Sequence, residues 1–286
     1  RLANVQDAVS AAQVTLAMGP RTVVVTGGDN QGNAVCRDFV AHAKSRSFWL
    51  NGTRVDTEND HGTGCSFSAA VASFVALEYS VDDALVLAKC YVHRGLRLAR
   101  TYGRGCGPVS HWPLWEHSLP DDFPWVGSEK REFLFKRCSP DFCPLVPSSA
   151  WVERMARCGV RTVQLRAKLG VTHESWAQLE EDVRVSIALA KQHNILLFVN
   201  DHWNLAIKHG AQGVHLGEEE LSFEAVQALH ERGMYLGISV DSIYSAAVAK
   251  AFCPSYVGVG PIFATSNKAA KKPMGLEQLS LIVHHS

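Results

Sequence analysis

Two groups of carboxylates stand just past two apolar runs in the C-terminal half of the chain. The run 195–199 reads as a buried strand and ends at Asn200 and Asp201. A short helical pattern from Trp203 closes at Gly210. A second apolar run, 213–216, then leads into Gly217, Glu218, Glu219 and Glu220. Neighbouring strands lie about 4.8 Å apart, so Asp201 and one of the glutamates can share a divalent cation. The competing reading has Asp201 cap its helix and the glutamates open the next one. Upstream, a strand end reads Gln164, Leu165, Arg166, Ala167, Lys168. Alternate strand residues share a face, which brings Gln164, Arg166 and Lys168 together. Two cations and an amide on one rim suit a polyanion such as pyrophosphate; a solvated strand end is the plainer alternative.

A third chemical stretch lies near the N-terminus. His61, Gly62, Thr63, Gly64 and Cys65 run straight into SFSAAVASFVALEY, apolar at helical spacing. The glycines allow a tight turn, and free amides at a helix start point at an anion. Cys65 falls in the first turn, where the helix dipole favours a thiolate. A plain helix start with a buried cysteine is the other reading.

The elements that must position these groups fall into two patterns. Residues 141–286 alternate strand and helix. Strands are expected at 142–146, 162–165, 195–199, 213–216, 234–238 and 256–259, and helices at 150–158, 173–193, 203–208, 222–232 and 242–252, with a last helix from Leu276. Six strands with short crossovers predict a parallel sheet; a barrel is the natural closure and a doubly wound open sheet the runner-up. The fifth strand carries Ser239. The sixth leads to a loop with Thr265, Asn267 and Lys268, which offer a hydroxyl, an amide and an ammonium. Residues 1–110 predict a helix over 6–18, a strand over 22–25 ending near Gly27 and Gly28, and a hairpin turning at Asn51-Gly52 between 48–50 and 54–55. Residues 111–140 read as a linker broken by Pro113, Pro120, Pro124 and Pro140. Trp112, Trp115, Phe123 and Trp125 make it too aromatic for a loose tether, so it should pack against a domain.

Composition narrows the class. The chain has 286 residues, and Lys+Arg and Asp+Glu balance at 28 each, so charge calls for neither nucleic acid nor a membrane surface as partner. No apolar run approaches the roughly 18 residues of a membrane span. The eight cysteines are scattered rather than arranged as a disulfide scaffold, which points to a reducing cytoplasm. Cys138 and Cys143 are close in sequence, but no second pair completes a zinc site. The chain opens at Arg1 and stops after the sixth strand's helix, so both ends are expected to continue in a longer fusion.

Two family resemblances follow from these strings. NDHGTGCSFSAAVAS, with the strand and turn at 23–28 and the segment GRGCGPV at 103–109, resembles the ribokinase-like hydroxymethylpyrimidine-phosphate kinases. The resemblance implies that the amides of Gly62, Thr63, Gly64 and Cys65 stabilise the phosphoryl group transferred from ATP, with Cys65 in the position of the catalytic base. Thr26 stands where that family has lysine. VQLRAK, VNDHWNLAIKHGAQGVHLGEEEL, GIS and YVGVGPIFATSNK resemble thiamine-phosphate synthase, in order, at consecutive strand ends. That family is a (β/α)8 barrel joining hydroxymethylpyrimidine diphosphate to a thiazole phosphate. The likeness implies that Gln164, Arg166, Lys168, Asn200, Ser239 and Lys268 hold the pyrimidine diphosphate, with Leu165 and Ala167 in the same binding string. It implies that Asp201 and Glu220 bind Mg²⁺ and that Thr265 and Asn267 touch the thiazole phosphate. Glu220 replaces a usual aspartate and Asn267 a usual threonine.

The fold class expected is therefore α/β: a partial ribokinase-like α/β domain over 1–110, a linker over 111–140, and over 141–286 a (β/α)8 TIM barrel lacking its last strands. The expected partners are small molecules, namely the pyrimidine diphosphate, the thiazole phosphate and ATP; a homo-oligomer is compatible. A thiazole tautomerase on the same barrel, or a ligand-binding remnant without turnover, are the alternatives.

Overall fold

The computed structural model describes residues 5–28, 33–113, 119–128, 133–264 and 273–285. Its compact units are two: Arg1–Arg131 with Asp241–Ala251 and Pro261–Ser286, and Glu132–Val240 with Phe252–Gly260.

The first unit holds a four-stranded antiparallel sheet in chain order, β1 (Thr22–Val25), β2 (Val35–His42), β3 (Phe48–Thr53) and β4 (Trp125–Val126). Helix α1 (Val5–Leu16) lays Ala8 and Ala12 against Phe39 and Ala41 of β2. Helices α2 (Thr63–Ala76) and α3 (Val81–Arg97) pack as a pair. Ser80 caps α3 by accepting a hydrogen bond from the Asp83 amide at 3.1 Å. From α3, Lys89 reaches the sheet and meets Asp38 of β2 at 2.6 Å, both side chains buried.

One expectation for this unit needs correction. Asn51-Gly52 does not turn a hairpin: Phe48–Thr53 is one continuous strand. Asn51 is fully buried, accepts from Arg37 Nε at 3.0 Å and donates to the Gly127 carbonyl at 3.1 Å. Gly52 lies where a Cβ would come within 3.1 Å of Lys89 Cε, so it makes room for α3. The strand that β3 pairs with is β2, which the sequence pattern did not reveal. The segment after 111 does pack: Phe123 and Trp125 are buried, while Trp112 is exposed and Trp115 lies outside the described residues. Asp122 anchors it, bonding to His93 Nδ1 at 3.0 Å and to Arg97 through Nε at 2.9 Å and Nη2 at 2.7 Å. The unit also takes in α8 (Ile243–Phe252) up to Ala251, and α9 (Gly275–His285). The Tyr244 amide donates to Asp83 Oδ1 at 2.7 Å.

The second unit is built on a six-stranded, wholly parallel sheet. Strands β5 (Leu145–Val146), β6 (Thr162–Leu165), β7 (Leu196–Asn200), β8 (Gly213–Leu216), β9 (Tyr235–Val240) and β10 (Tyr256–Val259) lie side by side in chain order. That order has no reversal, the mark of a doubly wound sheet. Between them run α4 (Ser149–Arg157), α5 (Trp176–Gln192), α6 (Trp203–His209) and α7 (Phe223–Glu231). Val163, Leu165, Leu197, Val199, Val214, Leu216, Leu236 and Ile238 are all buried. Burial on both faces explains why these strands read as unbroken apolar runs. Ser175 and Ser222 cap α5 and α7, and Gly210 closes α6 in the left-handed conformation.

Candidate functional site

The C-terminal ends of β6, β7, β8 and β9 bring the sequence-derived groups onto one rim. Gln164 on β6 donates its amide to Asn200 Oδ1 on β7 at 2.6 Å, and both side chains are buried. Arg166 and Lys168 follow β6 and are half-buried. Leu165 and Ala167 point into the core, so only their main chain is available to a ligand; the Ala167 carbonyl already pairs with His202 Nε2 at 3.0 Å.

Asp201 ends β7 in an unusual state. Its φ is +65°, left-handed backbone that a non-glycine residue adopts at a cost. Its amide donates to the His215 carbonyl at 2.9 Å, extending the ladder to β8. It does not cap α6: the cap position falls to His202, which makes no side-chain cap bond. The carboxylate is thus not consumed by the helix. Burial pushes it above the ordinary aspartate value, against the pull of Lys168, His202 and Arg166 nearby.

The three glutamates separate cleanly. All precede α7, whose cap is Ser222, so they do not open that helix. Glu218 and Glu219 are exposed, whereas Glu220 is half-buried. Glu220 folds back over Gly217, where a Cβ would stand 2.8 Å from its Oε2. Burial raises the Glu220 carboxyl, and the charge of Asp201 raises it further. Of the three, Glu220 is the half-buried one, and the one whose carboxyl is raised by the charge of Asp201. Among the described residues, no group of three or more His, Cys, Asp or Glu side chains is gathered for a metal. Mg²⁺ does not demand one, since it is commonly held by one or two carboxylates with substrate phosphates and water.

Ser239 on β9 meets His215 Nε2 at 2.9 Å, and His215 Nδ1 meets the Tyr256 hydroxyl at 2.9 Å. Sequence reasoning missed His215 and His202. The available signal for His215 was a lone imidazole inside the four-residue apolar run GVHL. Thr265, Asn267 and Lys268 lie outside the described residues.

In the first unit, Gly62 sits at the cap of α2 with φ +89°, and Thr63, Gly64 and Cys65 form the first turn. Cys65 is exposed. The amides of Gly64 and Cys65 have no helical carbonyl to pair with. The segment 103–109 lies against this loop. The His61 amide donates to the Gly107 carbonyl, the Val109 amide to the His61 carbonyl, and Cys106 Sγ to Asp60 Oδ1 at 3.0 Å. Gly107 cannot carry a side chain, because its Cβ would fall 2.0 Å from Asn59 Oδ1. Beside the other glycine pair, the Gly27 amide donates to Asp38 Oδ1 at 3.0 Å, the same carboxylate that Lys89 grips.

Residues 1–110 match the family model described as phosphomethylpyrimidine kinase. Thiamine-phosphate synthase of Yersinia pestis (strain Pestoides F) is 44% identical over 138 residues, covering 48% of this chain and 62% of that protein. The chain thus spans less than two thirds of the length of that relative. Among solved structures, thiamine phosphate pyrophosphorylase from Pyrococcus furiosus is 24% identical, with TM-score 0.42, over 55% of this chain and 71% of that one. Pyridoxal kinase from Staphylococcus aureus in complex with ADP is 23% identical, with TM-score 0.39, over 41% and 43%. Both scores are too low to bear on the fold. The model described as thiamine monophosphate synthase matches residues 140–286, just over half of the 286 residues, and the chain belongs to that family.

Proposed function

We propose that this chain is part of a bifunctional enzyme of thiamine biosynthesis. Residues 141–286 would join hydroxymethylpyrimidine diphosphate to thiazole phosphate, releasing pyrophosphate. Residues 1–110 would belong to an ATP-dependent kinase that phosphorylates hydroxymethylpyrimidine and its monophosphate, the route to the diphosphate. Residues 111–140 would join them. The parallel sheet would close as a (β/α)8 barrel in the complete protein; its strands in unreversed chain order support this.

Asp201 carries this reading. A left-handed aspartate at a strand end, unused by its helix, desolvated and near Lys168 and Arg166, is backbone strain kept where chemistry needs a carboxylate. Asp201 and Glu220 fit Mg²⁺, since both are oxygen donors in one half-buried setting. When bound, the ion would neutralise charge on the pyrophosphate. Arg166 and Lys168 would take up the negative charge that builds as the bond from the pyrimidine's methylene carbon to the diphosphate breaks. Gln164, Asn200, Ser239 and Lys268 would hold the pyrimidine diphosphate, with Thr265 and Asn267 at the thiazole phosphate. The thiazole nitrogen attacks with its own lone pair, so no protein base is needed. In the kinase part, the amides around Gly62, Thr63 and Gly64 would receive the transferred phosphoryl group beside Cys65. The eight free cysteines suit a reducing cytoplasm, and among the described residues no helix is long and apolar enough to cross a membrane.

The test uses the complete protein. Supplied with the pyrimidine diphosphate, the thiazole phosphate and Mg²⁺, it should form thiamine phosphate and pyrophosphate in equal amounts. With ATP and hydroxymethylpyrimidine phosphate it should form the diphosphate. Pyrophosphate without thiamine phosphate, or neither product, would refute the reading.

A further inference from the structure

We infer that Tyr256 and His215 fix Ser239 as a hydrogen-bond donor toward the diphosphate, which makes His215 a positioning residue. The inference rests on Ser239 being a diphosphate contact, as proposed above.

The slot for His215 is built by its neighbours. On β9, Gly237 sits opposite His215 in the ladder, and a Cβ there would lie 2.6 Å from Nδ1 and 2.4 Å from Tyr256 Cζ. On β10, a Cβ at Gly258 would lie 3.1 Å from His215 Cε1. Two glycines on successive strands therefore clear the space of one imidazole. Phe198 packs edge-on against Tyr256 at 5.0 Å between ring centres, holding the phenol in place.

Proton accounting sets the direction of each bond. Among the described residues, the acceptor available to the Tyr256 hydroxyl is His215 Nδ1, at 2.9 Å. Burial keeps the phenol protonated, well above its ordinary range. Tyr256 is half-buried, and a phenol held against an acceptor nitrogen at this distance donates to it. Nδ1 is then the acceptor nitrogen, and the ring proton sits on Nε2. Nε2–H donates to Ser239 Oγ at 2.9 Å. The oxygen's own proton is not needed for this bond and is free to point away from the ring, toward an anion at the rim. The opposite tautomer would strand the phenol proton and make Ser239 spend its hydrogen on the imidazole.

The tautomer is directly observable. In the full chain labelled with ¹⁵N-histidine, the His215 signal is identified by its loss in His215→Gln, and its long-range ¹H–¹⁵N pattern is read at pH 7.5. The Nε2–H tautomer is expected, giving way to a mixture of tautomers in Tyr256→Phe, a near-isosteric change. The Nδ1–H tautomer in the wild type, or an unchanged pattern in Tyr256→Phe, would overturn the relay. Calorimetric titration with inorganic pyrophosphate and Mg²⁺ then tests the positioning role. Ser239→Ala and His215→Asn should weaken binding roughly tenfold, the scale of one hydrogen bond to a charged group. His215→Gln, whose amide places an N–H near the Nε2 position, should recover most of it. Equal weakening by His215→Asn and His215→Gln would defeat the positioning role. No pyrophosphate binding by the wild type would instead defeat the diphosphate reading of the rim, with the tautomer result still deciding the relay.

Discussion

The buried pair of Lys89 and Asp38 offers a quantitative test of how the N-terminal unit is held together. The ammonium and carboxylate meet at 2.6 Å, with side chains 9% and 6% exposed. Asp38 also accepts the Gly27 amide, so one carboxylate ties α3, β2 and the turn after β1. Burial alone would lower the Lys89 pKa, but Asp38 and Cys36 outweigh it and the net shift is upward. A raised lysine stabilises the fold fully below the unfolded value, about 10.4, and loses that contribution only as pH climbs through the folded value. Breaking the pair is therefore felt undiminished at neutral pH. Asp38→Asn keeps an acceptor for the Gly27 amide but leaves the buried ammonium without its counter-charge, at a cost of about 3–5 kcal/mol. Lys89→Met removes the cation but strands the carboxylate, with a cost of similar size. The double variant Asp38→Asn/Lys89→Met keeps an acceptor for Gly27 and contains no charge. It should recover at least about 2 kcal/mol relative to the sum of the single changes, the coupling expected of a contacting pair. Urea unfolding of the full chain at pH 7.5, followed by circular dichroism, measures all four proteins. Single changes costing less than about 1 kcal/mol, or strictly additive effects, would refute the reasoning.

Gly237→Ala should disable the synthase site and destabilise its unit by about 1–3 kcal/mol, because the added carbon falls on Tyr256 and His215; unchanged thermal unfolding would contradict this. Cys65→Ala in the complete enzyme should lower kinase turnover by on the order of 10²-fold or more, as for loss of a proton-transfer group, with pyrophosphate release intact; undiminished phosphorylation would remove Cys65 from the reaction. Burial raises the Asp122 carboxyl, but hydrogen bonds from His93 and Arg97 outweigh it and hold the group well below the ordinary range. A depressed carboxyl stabilises above its unfolded value and loses that contribution as pH falls below about 3.9 toward the folded value. Asp122→Asn should thus be less stable at pH 7 and lose less on acidification, as measured by urea midpoints from pH 7 to 3.

The parallel sheet was legible because its strands are short and apolar, and β6 to β9 are buried on both faces. Gly213–Leu216, Thr162–Leu165 and Tyr256–Val259 fall where the runs put them. The antiparallel sheet was harder to read. β2 carries Arg37 and Asp38, which look like solvent residues until Asn51 and Lys89 arrive from distant positions to pair with them. Asn51-Gly52 has turn chemistry, yet burial against β4 and the approach of Lys89 override it. At the rim, strand ends located Gln164, Asn200, Asp201 and Ser239. Burial, which spacing does not contain, sets the half-buried Glu220 apart from the exposed Glu218 and Glu219. His215 was invisible because its role depends on Tyr256 and two glycines on strands further along the chain.

The dependence of pyrophosphate release on Mg²⁺ in the complete enzyme tests the central claim most directly. Asp201→Asn keeps the shape of the side chain and removes its charge. It should slow release by on the order of 10²-fold or more and shift the Mg²⁺ requirement to higher concentration, while Glu220→Asp, one methylene shorter, should stay close to the wild type. An Asp201→Asn enzyme that keeps the wild-type Mg²⁺ curve would contradict the assignment of this rim as the site of diphosphate chemistry.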